Sequence, residues 1–306
     1  MGWVASEKVS TPAVFIVVLN WNGWRDTHAC LESLAGLAYP NAHVVVVDNA
    51  SEDGSEARLR ELYPVLTLLQ SGANLGFAGG NNVGLRYALA NGAEYVWLLN
   101  NDTLVEPDAL TALVDKMQRE PDLGLCGSTL LYEAERNTVQ ALGGARYNRW
   151  LGTVEHIGQH QPRTQSVDER AVEKQLSYLI GASILASRAF LEQVGLLQDD
   201  YFLYFEELDW AARTRGTFRL GYASRSVVYH KEGSSIGGTD RAKTTKSYTA
   251  DHYALKNRVR FTRRFYPYAL PTVYLGLGMA LLNRLRRRQW NRVVLVARIM
   301  LRGGEV

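Results

Sequence analysis

The densest concentration of reactive side chains is Tyr201-Phe202-Leu203-Tyr204-Phe205-Glu206-Glu207-Leu208-Asp209-Trp210, an aromatic run followed by three carboxylates within four positions. Adjacent carboxylates repel and an apolar lead-in desolvates them, and both effects raise a carboxyl pKa. A carboxylate tuned in this way suits general-base removal of a proton from a hydroxyl. The same acids also suit the first turn of a helix, where the macrodipole favours negative charge. A further acid, Asp102, closes Leu98-Leu99-Asn100-Asn101-Asp102. Directly after a strand it can hold Mg2+ or Mn2+ against a diphosphate and offset charge on a leaving group, although Asn-Asn-Asp-Thr is also a competent turn. His230 ends the apolar run 226–229; its imidazole can complete such a metal shell, touch a phosphate, or be structural. Asp48 ends another apolar run, and its carboxylate can accept from a pyrimidine N–H or cap the next helix. The run Asn74-Leu75-Gly76-Phe77-Ala78-Gly79-Gly80-Asn81-Asn82 lets backbone approach a ligand and precedes a helix whose first N–H groups can receive phosphate. It matches neither the dinucleotide fingerprint nor the P-loop.

For these residues to meet, the chain must carry them to a common edge. Val14–Leu19, His43–Asp48 and Glu94–Leu99 are continuous aliphatic runs, the pattern of strands buried on both faces. Helical patterns lie between them, from Asp26 to Leu34, from Ser51 or Asp53 to Leu62, and from Asn81 to Asn91. This alternation predicts a doubly wound, mostly parallel α/β sheet, in which ligands bind beyond the carboxyl ends of the strands. The residues following the three strands begin Asn20-Trp21-Asn22-Gly23, Asp48-Asn49-Ala50-Ser51 and Asn100-Asn101-Asp102-Thr103, one polar lip. Residues 123–127 and 176–186 read as further strands, and the Gly-, Arg- and Gln-rich stretch 133–175 as a loop-heavy lid or acceptor-binding segment. The expected organisation is one α/β domain over residues 1–250, with a nucleotide-binding half at about 12–130 and a catalytic half at about 131–250, then a helical appendage over 251–306.

A chain of 306 residues, 46% hydrophobic and 21% charged, is ordinary globular material. The net charge of +3 is unevenly spread: from Asp251 onward it is +10, leaving −7 on the first 250 residues. Such a tail seeks an anionic partner. Its apolar stretch Ala269–Leu282 falls short of the roughly 20 residues that span a bilayer. Arg284, Arg286, Arg287 and Arg288 follow, then the amphipathic Trp290–Leu301. The pattern predicts association with an anionic membrane surface rather than a span; a packed helical hairpin with a solvated basic face is the competing reading. Nucleic acid is disfavoured, since no recognition fold accompanies the charge. Cys30 and Cys126 read as buried thiols in a reducing compartment, and the N-terminus lacks a secretory pattern. Together these point to a cytoplasmic protein, peripheral on the inner face of the cell membrane, with homo-oligomerisation left open.

Taken in order, these pieces resemble the family 2 glycosyltransferases, inverting enzymes of the GT-A fold, in the branch rich in rhamnosyltransferases. The resemblance rests on Val18-Leu19-Asn20-Trp21-Asn22, Val47-Asp48-Asn49-Ala50-Ser51, the run 74–81, Leu98-Leu99-Asn100-Asn101-Asp102-Thr103, Gly181-Ala182, Phe205-Glu206-Glu207-Leu208-Asp209-Trp210, His230-Lys231-Glu232-Gly233-Ser234-Ser235, and Asn257-Arg258 before Tyr266-Pro267. It implies a nucleotide-sugar donor, with Asp48 on the pyrimidine base. Asn20, Asn22, Asn74, Gly76, Phe77, Asn81 and Asn101 are implied around the nucleotide and sugar. Asp102 matches the last acid of the family's metal motif and His230 a histidine that joins it. Glu207 falls where the catalytic base is placed, with Glu206 tuning or competing for that role, and Asp209 supports the helix or the acceptor. The chain departs from the family in two places: the metal motif keeps a single acid, and Glu stands where Asp is commoner as base. The implied reaction moves a sugar, L-rhamnose from dTDP-rhamnose in the first instance, to a glycan or lipid-linked glycan in cell-surface polysaccharide synthesis. UDP-hexose, UDP-N-acetylhexosamine and UDP-galactofuranose are the alternative donors. A nucleotidyltransferase would want a basic, glycine-rich loop after the first strand, which is missing; a non-catalytic sugar-nucleotide binder would have no need of Asp102, Glu206 and Glu207.

Overall fold

The computed structural model describes residues 11–214, 216–231 and 247–304. The first half alternates as the apolar runs require: β1 (Val14–Asn20), α1 (Trp24–Leu34), β2 (Ala42–Asp48), α2 (Ser55–Leu62), β3 (Thr67–Gln70), α3 (Gly76–Ala90) and β4 (Tyr95–Asn100). Next come β5 (Thr103–Val105), α4 (Ala109–Arg119), β6 (Leu123–Tyr132), β7 (Glu135–Leu142), β8 (Gly144–Asn148), β9 (Thr153–His156), α5 (Glu169–Glu173), β10 (Tyr178–Leu179), β11 (Ser183–Ser187) and α6 (Arg188–Val194). A 3-10 turn, Asp199–Tyr201, leads into α7 (Glu206–Ala212) and β12 (Arg219–His230), and α8 (Tyr248–Phe265), α9 (Leu270–Arg286) and α10 (Trp290–Arg302) complete the order.

The main sheet runs β3-β2-β1-β4-β11-β6-β12-β5, with β7 added on β6. β1, β2, β3 and β4 are parallel. β11 then enters antiparallel to both β4 and β6, and β12 is parallel to β6 but antiparallel to β5. The expected α/β architecture is present, and its parallel character is confined to the nucleotide half and the β6–β12 pair. Helices cover both faces, so β1 is buried along nearly its whole length and two apolar clusters lie on opposite faces of the sheet.

Several local expectations change. The run 176–186 is not one strand: β10 joins a small sheet with β8 and β9, β11 joins the main sheet, and Gly181 sits in the break. Residues 133–175 are not mainly loop: β7, β8, β9 and α5 lie within them, joined by turns and by the connection before α5, and the Gly-, Arg- and Gln-rich composition does not mark these short elements. The glycine run is the first turns of α3, which starts at Gly76 rather than Asn81. Its glycines permit close packing on the sheet: a Cβ at Gly80 would come within 2.5 Å of Leu19 Cδ1, and one at Gly84 would collide with Val17. Asp26 lies inside α1, whose N-cap is Gly23, and pairs with Lys231 at 2.6 Å. The N-cap of α2 is Gly54, with Asp53 accepting from the Ser55 backbone N–H at 3.0 Å and from its hydroxyl.

The expected division at residue 250 falls within α8. That helix is built into the catalytic half: Phe261 packs with Tyr178, Tyr201 and Leu208. Asp251 is buried and spent on Arg284 and Arg292, at 2.7 and 3.1 Å, which ties the start of α8 to α9 and α10. Among the described residues no helix is long and apolar enough to cross a membrane. Cys30 and Cys126 are buried free thiols, Cys30 raised to about 12 by desolvation.

Candidate active site

The polar lip expected at the strand ends is there, and its lowest layer is locked. Asn20 is fully buried and donates from Nδ2 to Asp48 Oδ1 at 2.7 Å, while its Oδ1 accepts from the Thr27 hydroxyl at 2.7 Å. Asp48, also fully buried, accepts from the Ser51 N–H (3.0 Å), the Ser51 hydroxyl (2.6 Å) and Gln70 Nε2 (2.9 Å). Its carboxylate thus closes the 48–51 turn and clamps β1 and β3, rather than capping α2, which begins at Ser55. Asn22, held at φ +51°, accepts from the Glu52 N–H at 2.8 Å. Asn101 donates to the Thr27 hydroxyl at 3.0 Å.

Asn49 holds the entry to α3. Its Nδ2 donates to Asn74 Oδ1 and to the Gly76 carbonyl, both at 3.1 Å, and its Oδ1 accepts from the Leu75 N–H at 3.0 Å. Gly76 is at φ +70°, and a Cβ there would collide with the Phe202 carbonyl; the next residue, Phe77, donates its N–H to that carbonyl at 2.7 Å. Asn74 is exposed, whereas Asn81 is buried and bonds back to the Phe77 carbonyl at 2.9 Å. The start of α3 and the aromatic segment before α7 are therefore joined backbone to backbone.

Asp102 and His230 meet because β12 pairs with β5, with His230 opposite Thr103. His230 Nε2 lies 3.3 Å from Asp102 Oδ1, and Nδ1 lies 2.9 Å from Gln140 Oε1. In the neutral ring, donation from Nδ1 to that amide oxygen leaves Nε2 as a lone pair facing a carboxylate. No hydrogen-bond partner reaches Nε2 among the described residues. Two buried lone-pair donors facing each other need a cation or a proton between them. Among the described residues no cluster of three or more His, Cys, Asp or Glu side chains surrounds this point, so a metal there would draw its remaining ligands from diphosphate and water. The segment following Lys231, including Glu232-Gly233-Ser234-Ser235, lies outside the described residues.

The paired glutamates open α7, and their positions differ. Glu206 is buried with Oε2 unpartnered among the described residues, and desolvation together with Glu207 pushes its carboxyl well above the usual range. Glu207 is only partly buried. Its Oε1 accepts from the Gly181 N–H at 3.1 Å, and desolvation raises it to about 7 against that bond. A Cβ at Gly181 would collide with Glu207 Oε1 and approach Phe77 Cζ to 3.0 Å. Glu207 and Phe77 of α3 therefore both border Gly181, and the carbonyl of the neighbouring Ala182 accepts from the Asn100 N–H at 3.1 Å, next to the Asp102 turn. Asp209 faces elsewhere: it is fully buried and engages Arg213 (2.7 Å), Arg264 (2.9 Å) and the Tyr201 hydroxyl (3.1 Å). Of the two roles open to it, its contacts match support of the helix.

Phe202, Tyr204 and Phe205 all have left-handed backbone, with φ of +62°, +64° and +76°, a conformation that costs about 1–2 kcal/mol per non-glycine residue. Asn257 of α8 over-determines this loop. Its Nδ2 donates to the carbonyls of Tyr201 (2.8 Å), Leu203 (2.8 Å) and Tyr204 (3.0 Å). Asn257 is visible in the sequence only within a motif, and Gln140 and Gln70 are not marked at all. Their partners lie 53–56, 90 and 22 residues away, so no local pattern marks them.

Known proteins resemble the chain in sequence and in fold. The Glycosyl transferase family 2 model matches residues 15–195, ending before α7. An N-acetylglucosaminyl-diphospho-decaprenol L-rhamnosyltransferase of Mycobacterium tuberculosis is 24% identical over 270 residues, covering 80% of this chain and 86% of that protein. The dTDP-rhamnosyl transferase RfbF of Shigella flexneri is 24% identical over 173 residues, 56% of this chain and 54% of its own. Among solved structures, the mannosyltransferase PcManGT of Pyrobaculum calidifontis, in complex with GDP-Man and Mn2+, superposes with TM-score 0.57 at 18% identity, covering 96% of this chain and 88% of that one. The likeness is one of fold, the mixed GT-A arrangement of sheet and helices.

Proposed function

The chain belongs to glycosyl transferase family 2 and is a glycosyltransferase; from that premise we propose that it inverts configuration, transferring L-rhamnose from dTDP-rhamnose to a hydroxyl of a glycan or lipid-linked glycan. The observation that carries the mechanism is Glu207, raised to about 7 and pinned by the N–H of Gly181, which it borders together with the α3 aromatic Phe77. In its charged form Glu207 takes the proton of the acceptor hydroxyl. The acceptor oxygen attacks the anomeric carbon opposite the leaving group, the new C–O bond forms as the bond to the diphosphate breaks, and the proton ends on Glu207. Glu206, whose Oε2 is buried with no hydrogen-bond partner among the described residues, holds its proton more tightly than an ordinary carboxyl and leaves Glu207 as the member of the pair that takes the charge. Asp102 and His230 would hold Mg2+ or Mn2+, which supplies charge neutralisation at the departing diphosphate. The bare Nε2 facing Asp102 Oδ1 fits that ion, and His230 is kept in the required tautomer by Gln140. Asp48, Asn20, Asn22 and Asn101 line the base and ribose side, and Asn74, Gly76, Phe77 and Asn81 the sugar side.

The rhamnose donor is supported by the two rhamnosyltransferase relatives and a diphospho-lipid acceptor by the mycobacterial one; an acceptor of that kind would place the enzyme at the inner face of the cell membrane. Incubation of a nucleotide-sugar panel with an N-acetylglucosaminyl-diphospho-lipid tests the reading. Transfer from dTDP-rhamnose with an inverted anomeric centre, read by NMR, is expected. Turnover of UDP-sugars alone, or a retained configuration, would overturn it.

A further inference from the structure

The C-terminal helices carry a surface the reaction does not use. From Tyr268 in the 3-10 turn Pro267–Ala269 into α9, the residues 268, 272, 275, 279, 282 and 286 follow one another at alternating steps of four and three, and those within α9 share one helix face. The opposite face is consumed by packing, with Val273 and Leu277 buried and Leu277 against Leu255 and Val259 of α8. On the free face Tyr268, Leu275, Met279 and Leu282 are each more than half exposed. The row extends at one end through Thr272, which donates to the Trp150 carbonyl, to the tip of the β8–β9 hairpin, where Trp150 and Leu151 are exposed and the Trp150 ring lies 5.3 Å from that of Tyr268. At the other end it runs into the exposed Arg286, Arg287 and Arg288, followed by the exposed Trp290.

Charge decides what covers this row. Between His252 and Gly304 there is not one acidic residue, and Asp251 is buried beneath Arg284 and Arg292. The exposed charge that the C-terminal helices contribute to the row is therefore cationic. A two-fold pairing of this face in two copies of the chain would bring arginines against arginines or against the same apolar row. An anionic bilayer offers both halves of the complement: acyl chains for the leucines and methionine, headgroup phosphates for the arginines, and the interfacial zone that tryptophan and tyrosine prefer.

We propose that the row from Tyr268 to Leu282, along α9 and the turn before it, together with the Trp150-Leu151 hairpin tip and the Arg286–Arg288 cluster, is a monotopic docking face for an anionic lipid bilayer. The proposal rests on the lipid-linked acceptor reading and adds how the site is held to its substrate. An aromatic ladder joins the face to the catalytic helix: Trp150 to Tyr268 at 5.3 Å, Tyr268 to Tyr266 at 6.2 Å, Tyr266 to Tyr147 at 6.2 Å, and Tyr147 to Phe205 at 6.2 Å. Phe205 is the N-cap of α7. Docking through this face fixes the height of Glu207 above the bilayer, where a glycan on a lipid diphosphate presents its hydroxyl.

Flotation of the full chain with vesicles of phosphatidylcholine containing phosphatidylglycerol, against phosphatidylcholine alone, tests this directly. Binding is expected only to the anionic vesicles, weakening with added salt. The combined L275E, M279E and L282E variant should lose it, and R286Q, R287Q and R288Q together should weaken it by roughly tenfold to a hundredfold. Quenching by brominated lipid should diminish in W150F. Wild-type chain that ignores anionic vesicles, or a triple-glutamate variant that binds them undiminished, would overturn the proposal. So would a chain that ignores the vesicles but forms a dimer which the triple-glutamate variant dissociates. Binding of dTDP in solution, followed in parallel, needs no bilayer. Its persistence without vesicle binding sinks the docking face alone, and vesicle binding without nucleotide binding sinks the donor reading instead.

Discussion

Asn257→Asp separates the geometry of the catalytic loop from the integrity of the fold. The native carboxamide is fully buried, its Oδ1 has no hydrogen-bond partner among the described residues, and its Nδ2 serves three carbonyls at 2.8–3.0 Å. Aspartate keeps the shape but faces those carbonyls with acceptors only. Two lost hydrogen bonds at about 1 kcal/mol each, and at least one carbonyl left buried and unmet at about 1–3 kcal/mol, total roughly 3 kcal/mol or more. The loop it holds stores left-handed strain at Phe202, Tyr204 and Phe205 and relaxes once released. Expressed in the position of Glu207, roughly 3 kcal/mol is more than about a hundredfold in kcat. The nucleotide lip hangs on Asn20, Asp48 and Ser51 instead, so donor KM should change by no more than about twofold. Steady-state transfer, dTDP calorimetry and thermal melting together read the outcome. A variant that binds dTDP and turns over at the wild-type rate would refute the bracing role.

Four further outcomes follow from the same geometry. With Glu207 raised to about 7 and needed in its charged form, kcat/KM should fall about tenfold per pH unit below that value and level off above it; a flat profile down to pH 5 would contradict this. The raised value also means that the fold favours the protonated form. The charged carboxylate costs stability above pH 7 and nothing below the unfolded value, so Glu207→Gln should raise Tm at pH 8 and leave it unchanged at pH 4. Gly181→Ala drives a methyl into Glu207 Oε1 and Phe77, and should cut transfer by at least tenfold on the order of a misplaced base, with melting shifted by only a few degrees. Chelation of divalent ions should weaken dTDP binding in the wild type and have little effect in Asp102→Asn, read by calorimetry with and without added Mn2+.

Much of the nucleotide half was legible because its strands are buried on both faces, and a continuous apolar run such as Val14–Asn20 has few other meanings. The strand ends then named the lip directly. Legibility fell where one signal has two physical causes. The glycines at 76, 79, 80 and 84 look like loop, but they let α3 press against Leu19 and Val17. The apolar run at 176–186 conceals a change of sheet at Gly181, since burial in either sheet reads alike. The basic tail was visible as charge, yet the face of α8 that matters to the site was not. Asn257 and Arg264 act on residues more than fifty positions earlier, and Asp251, the tail's one acid in the described residues, is hidden in an ion-pair triad. Glu206 and Glu207 were legible as a pair, but only the fold distinguishes the buried one from the one that reaches Gly181.

That distinction is the most direct test of the account. Transfer and dTDP binding should be measured side by side for Glu207→Gln and Glu206→Gln. The account predicts that Glu207→Gln abolishes transfer while dTDP binding survives. It predicts that Glu206→Gln, which replaces a protonated carboxyl by its neutral isostere, keeps transfer within about tenfold of wild type. Wild-type turnover by Glu207→Gln, or loss of transfer in Glu206→Gln alone, would contradict it.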